Sequence, residues 1–132
     1  MKIKSKELSG VALDWAVAKC DGINVYMLRG KLVYIPEGSL LGFIHKDPRR
    51  VEYSTNWLQG GPIIDKLIED GWKIEKADFG QGIKCYRFIN GEIQIQYGKT
   101  ALIAVTRCYV ADKLGDEIEV PDEFVNCEVK PG

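Results

Sequence analysis

Apolar and polar positions along the chain change period several times, and each change marks an element. From Gly10 to Cys20 the run GVALDWAVAKC carries only Asp14 and Lys19 as polar residues, which fits a mostly buried helix rather than an amphipathic one. Leu8-Ser9 supplies its entry: Ser9 can accept a bond from a free N–H of the first turn, Leu8 can staple onto Leu13, and Gly22 is the stop. Asp14 reads as an acid leaning toward solvent near a helix start, with ligand contact the less common alternative. INVYMLR and KLVYI then form a hairpin joined at Gly30, and Pro36-Glu37-Gly38 turns the chain before SLLGFI, a short third strand. His45 to Gly61 is a loop of about seventeen residues, and structureless loops beyond about 12–15 residues tend to carry function.

Pro62 is expected to open the next helix, IIDKLIEDG, which Gly71 stops. WKIEKAD, IKCYRFI and EIQIQYG read as three strands. Between the last two, Asn90-Gly91 suits a two-residue turn, since both positions must tolerate positive φ. That turn pairs Phe88 with Ile93 and Tyr86 with Ile95 on an apolar face, expected to pack, and Arg87 with Gln94 on a wet one. Lys99-Thr100 begins ALIAVTRCYVADKL, ended by Gly115 and apolar around nearly its whole circumference, as a central helix would be. One stripe departs from this. Thr100, Ala104, Arg107 and Ala111 share a face of small residues that permits close approach, with Arg107 its only long side chain. Residues 116–132 form an acidic C-terminal extension with Val120-Pro121 and Phe124 as anchors. The order predicts one α+β domain over residues 1–132, a mainly antiparallel sheet of about five to six strands packed with three helices.

Charge and composition narrow the function. With 18 basic and 19 acidic residues the chain lacks the basic face that duplex nucleic acid or an anionic membrane requires, and Lys46, Arg49 and Arg50, interrupted by Asp47, read as a solvated cluster. No segment is apolar enough for a signal peptide or a membrane span, so a cytoplasmic protein is expected. Cys20, Cys85, Cys108 and Cys127 lack zinc-site spacing and are expected to be reduced, with no metal and no cofactor. The single histidine, His45, rules out two-histidine chemistry and would have to be the base of any Ser-His-Asp triad.

The densest chemistry lies in YSTNWLQGGPII, Tyr53 to Ile64. Glycines before a helix start let the backbone approach a bound group, and the free amides there make an anion seat. The expected ligand-binding set is therefore Asn56, Trp57, Gly60, Gly61 and Ile63, with Arg107 from the last helix; no catalytic set declares itself. Asn56 can donate and accept, and Trp57 offers a face for a planar ring. A plain turn-to-helix connection, with Trp57 capping the core, is the competing reading.

ELSGVALDWAVAKC, YSTNWLQGGPII and ALIAVTRCYVADKLGDEIEVP together resemble the NinX-like family of small phage proteins. The resemblance implies a phage or prophage origin and work in the bacterial cytoplasm; it implies no activity. The family's recurrent residues fall here on Leu13, Trp15, Trp57, Gly60, Gly61, Pro62, Ala104, Arg107 and Gly115, with Asp usual in relatives where this chain has Asn56. Three functions compete. The first is a non-enzymatic binder of a small anionic, nucleotide-like ligand, suited to sequestering a host defence signal. The second is an interaction module engaging a host or phage protein through Trp57 and Tyr53, and the third an enzyme assembled from Asp14, Glu52 and Asp65. A homo-oligomer with shared sites is compatible with the first.

Overall fold

The computed structural model describes residues 1–35 and 48–126, so SLLGFI, His45 and Cys127 lie outside the described residues. The chain is an α+β fold, and among the described residues the strands all pair antiparallel but divide among three small sheets instead of forming one. Helix α1 (Gly10–Cys20) follows β1 (Lys2–Lys4) and a single 3₁₀ turn at Ser5–Glu7. Ser9 takes the cap position in extended backbone, yet its hydroxyl bonds no helix amide, contrary to the expected cap. The C-terminal end follows the sequence: Gly22 at φ 73° lets the Ile23 N–H reach back to the Ala18 carbonyl.

Strands β2 (Tyr26–Leu28) and β3 (Lys31–Tyr34) form the expected hairpin, turning at Arg29 and Gly30, both with positive φ. A third strand, β4 (Arg49–Arg50), pairs with β3 inside what the sequence suggested was loop. Helix α2 (Trp57–Glu69) then begins five residues earlier than Pro62. Its cap is Asn56, whose side chain accepts from the Leu58 N–H at 2.9 Å. Pro62 sits inside the helix, where its missing N–H leaves the Leu58 carbonyl without the usual i→i+4 donor, on a residue that is 89% exposed. Water can serve that carbonyl, so the early start is tolerated.

Strands β5 (Lys73–Lys76), β6 (Ile83–Ile89) and β7 (Glu92–Gly98) make the third sheet. The register is the expected one: Phe88 opposes Ile93, Tyr86 opposes Ile95, and Arg87 opposes Gln94. The buried side is the opposite of the one expected. Helix α3 (Ala101–Leu114) lies on the Cys85–Arg87–Gln96–Gly98 side, leaving Phe88 68% and Ile93 50% exposed. Small size decides this. A Cβ on Gly98 would fall 2.5 Å from the Ala104 amide nitrogen, so only glycine admits the helix there, opposite the small-residue stripe of α3. Arg87 fills the rest of that side by lying over the Trp72 ring, 4.4 Å from its centroid, and reaching Asp112 at 2.8 Å.

Helix α3 starts at its Thr100 cap, which accepts from the Ile103 N–H, and ends at Gly115, as the sequence suggested. It is the spine of the core, with Val105, Cys108 and Val110 fully buried against Leu13, Val17 and Leu67. The acidic extension begins as structure: β8 (Glu117–Glu119) pairs with β1, and a short helix, α4 (Asp122–Asn126), follows. Val120 and Phe124 are buried, and Phe124 stacks on Trp15 at 5.8 Å.

Candidate functional site

The segment from Arg50 to Asn56 is folded back on itself rather than loose. The Thr55 and Asn56 amides both bond the Glu52 carbonyl, and Gln59 in the first turn of α2 pins the segment from outside. Its Oε1 accepts from the Glu52 N–H at 2.7 Å and its Nε2 donates to the Arg50 carbonyl at 2.8 Å. From inside, the Ser54 N–H donates to Asp14 Oδ1 at 2.8 Å. Asp14 is thus buried, only 6% exposed, and does not lean to solvent as its place near a helix start suggested. Joining two distant segments rewards its burial, because a carboxylate out of water needs such partners.

This clasp shapes a cavity of about 450 Å³ between the start of α1 and the folded segment. Gly10, Val11 and Asp14 form one wall, Lys31 and Leu32 of β3 another, and Arg50, Glu52, Ser54 and Thr55 the third. Two cations, two hydroxyls and two carboxylates therefore surround a space of small-ligand size. Sequence reading missed Lys31, Ser54 and Thr55 and placed Arg50 in a solvated cluster. The polar run before Asn56 was the available signal.

The residues expected to bind ligand are used differently. Asn56 is the α2 cap. The Gly60 amide bonds the Asn56 carbonyl at 2.8 Å, and Gly61 and Ile63 lie further into the helix, so the anion seat expected before Pro62 does not form there. Gly60 serves packing: a Cβ would fall 2.5 Å from the Tyr53 carbonyl and 2.6 Å from the Leu102 side chain on α3. Arg107 is a strut, donating from Nε to the Leu8 carbonyl at 2.8 Å and from a terminal nitrogen to the Tyr97 carbonyl at 2.7 Å, with half-burial lowering its pKa. Trp57 does not cap the core; it stands 62% exposed at the helix start. Tyr53 packs against the core, and burial pushes its hydroxyl up to about 12.

Among the described residues, no group of three or more His, Cys, Asp or Glu could hold a metal ion, and Cys20, Cys85 and Cys108 are free thiols. No helix among them is long and apolar enough to cross a membrane.

Residues 4–113 match the family model described as Bacteriophage P22, NinX. The chain belongs to that NinX family. No curated protein matches it. A crystal structure of a phage protein from Bacillus cereus ATCC 14579 is similar in fold, with a TM-score of 0.52 at 19% identity, covering 83% of this chain and 86% of that one. The NinX match takes in α1, the folded segment and α3 up to Lys113, and with them every wall of the cavity.

Proposed function

We propose that this phage protein is a non-enzymatic binder of a small anionic, nucleotide-like ligand, held in the cavity between α1 and residues 50–55. Sequestration of a host defence signal is the use this reading gives it. The observation that carries the reading is the cavity of about 450 Å³ with Lys31 and Arg50 on its walls beside the Ser54 and Thr55 hydroxyls. Cations there favour a phosphate through charge-assisted bonds, while Asp14 and Glu52 are acceptors suited to sugar hydroxyls. The clasp that orders the wall in advance lowers the cost of fixing a ligand.

A thermal-shift screen of mono-, di- and cyclic nucleotides tests this. A nucleotide at about 100 times its Kd should add about 2.7 kcal/mol of stability. Arg50→Ala, weakening binding about tenfold, should roughly halve that gain. If no nucleotide raises the melting temperature, the second reading stands in its place: a protein partner engaged through Trp57 and Leu58, which are 62% and 89% exposed at the start of α2. That reading expects Trp57→Ala to abolish partner binding.

A further inference from the structure

Strand β7 is an edge of its sheet, and it is built unlike the other edges. Edge strands expose unpaired backbone groups, which proteins usually guard with charge, proline or brevity. β5, the other edge of the same sheet, reads KIEK; β4 is Arg49-Arg50, and β2 is only three residues long. β7 has seven residues, no proline and a single charge, Glu92, at its very start. The turn before it fixes which of its groups face outward. Asn90 and Gly91 both have positive φ, so Ile89 and Glu92 flank a two-residue turn as a hydrogen-bonded pair, and bonded and non-bonded pairs alternate from there. Glu92, Gln94 and Gln96 thus spend their N–H and C=O groups on β6, whereas those of Ile93, Ile95 and Tyr97 point away from it. The Tyr97 carbonyl is met by Arg107 at 2.7 Å, as an outward group would be. Ile93 and Ile95 are left, with Ile93 50% exposed and Gln94 between them exposed as well.

We propose that β7 pairs antiparallel with β7 of a second copy of this chain, about a two-fold axis through Gln94. Each Ile93 then exchanges both backbone hydrogen bonds with Ile95 of the other copy, and the two three-stranded sheets become one. The strand suits its own reverse. Isoleucine meets isoleucine on the outer side, covering Ile93, and glutamine meets glutamine on the α3 side. Glu92 falls opposite Gln96, so the two Glu92 carboxylates stand apart. Gln96 shares a cavity wall with Lys4 and Lys6. Lys4 opposes Glu117 across β1 and β8. Lys6, beside Asp116 on that wall, is exposed and has no ion-pair partner among the described residues, and neither has Glu92. The axis brings these opposite charges together from different copies. Phe88, one strand further in, stays open to water.

Sedimentation equilibrium over a concentration series tests this, with circular dichroism to show that each variant folds. Wild-type protein should dimerise reversibly. Ile93→Lys, which puts a guarding charge on the edge, should be monomeric at every concentration with an unchanged spectrum. Lys6→Glu turns two exposed ion pairs into repulsions and should weaken the dimer about fivefold or more, and Glu92→Lys added to it should restore the affinity. Gln94→Cys reads the register. Its Cα atoms would stand about 4.5 Å apart across the axis, within disulfide reach, so mild oxidation should link that variant into a dimer and leave Glu92→Cys unlinked. A monomeric wild type or a dimer that survives Ile93→Lys overturns the proposal. So does a Lys6→Glu variant that dimerises as the wild type does or that Glu92→Lys fails to repair, and so does linkage of Glu92→Cys as ready as that of Gln94→Cys. None of these outcomes depends on nucleotide binding on the α1 side.

Discussion

On the side of the β6–β7 hairpin that α3 covers stand Cys85, Arg87, Gln96 and Gly98; on the opposite side stand Tyr86, Phe88, Ile93, Ile95 and Tyr97. By polarity alone the two would be exchanged. The covered side works because α3 brings apolar surface of its own and needs a partner that is thin. Gly98 and Cys85 supply the thinness, and the Cys108 thiol comes within 3.1 Å of the Cys85 carbonyl. The arginine there is less polar in effect than in name, since its guanidinium sits over an indole and its charge meets Asp112. The outer side leaves Phe88, Ile93 and Tyr97 exposed, with Tyr86 bonded to Glu75 and set edge-on to Phe88 at 6.2 Å. Alternation therefore reports strand and register, while backbone clearance decides which side is covered.

Substitutions on the two sides separate their roles. Trp72→Ala removes the platform under Arg87 and should cost about 3–5 kcal/mol in chemical denaturation, the range for deleting a buried aromatic. Gly98→Ala places a methyl against the backbone of α3 and should cost about 1–3 kcal/mol; an unchanged midpoint would mean that α3 does not sit on that side. Arg87→Ala, losing the ring contact and a partly exposed ion pair, should cost about 1–2 kcal/mol. Phe88→Ser on the open side should change stability by less than about 0.5 kcal/mol. A large loss there would show that the aromatic face is covered after all, by a second copy or by another protein, and analytical ultracentrifugation of the same variant would tell which.

Much of this architecture was legible in the chain. Asn90-Gly91 gave the turn and the pairing, Gly22 and Gly115 gave helix ends, and the apolar residues spread round nearly the whole circumference from Ala101 identified the central helix. Other features needed three dimensions. Nothing local in EIE or KIK names a partner more than a hundred residues away, although Lys2 opposite Glu119 and Lys4 opposite Glu117 show a complementarity that could have suggested it. Gly60-Gly61-Pro62 misled because glycine and proline usually mark an end, and here Asn56 had already capped the helix. The site suffered most from this. Its polar run was visible, but Asn56 and Gly60 serve the helix and Arg107 the frame. The walls of the cavity come from Lys31, Arg50, Ser54 and Thr55, which the β3–β4 pairing and the clasp between Asp14 and Ser54 bring round α1.

On the reading proposed above, Lys31 and Arg50 make the α1-side cavity an anion seat. Calorimetric titration of mono-, di- and cyclic nucleotides into wild-type and Arg50→Ala protein tests it most directly. Saturable binding of at least one nucleotide by the wild type is expected, weakened about tenfold or more in the variant, as loss of a bond to a charged group requires. No binding by the wild type, or equal affinity in the two proteins, would contradict it.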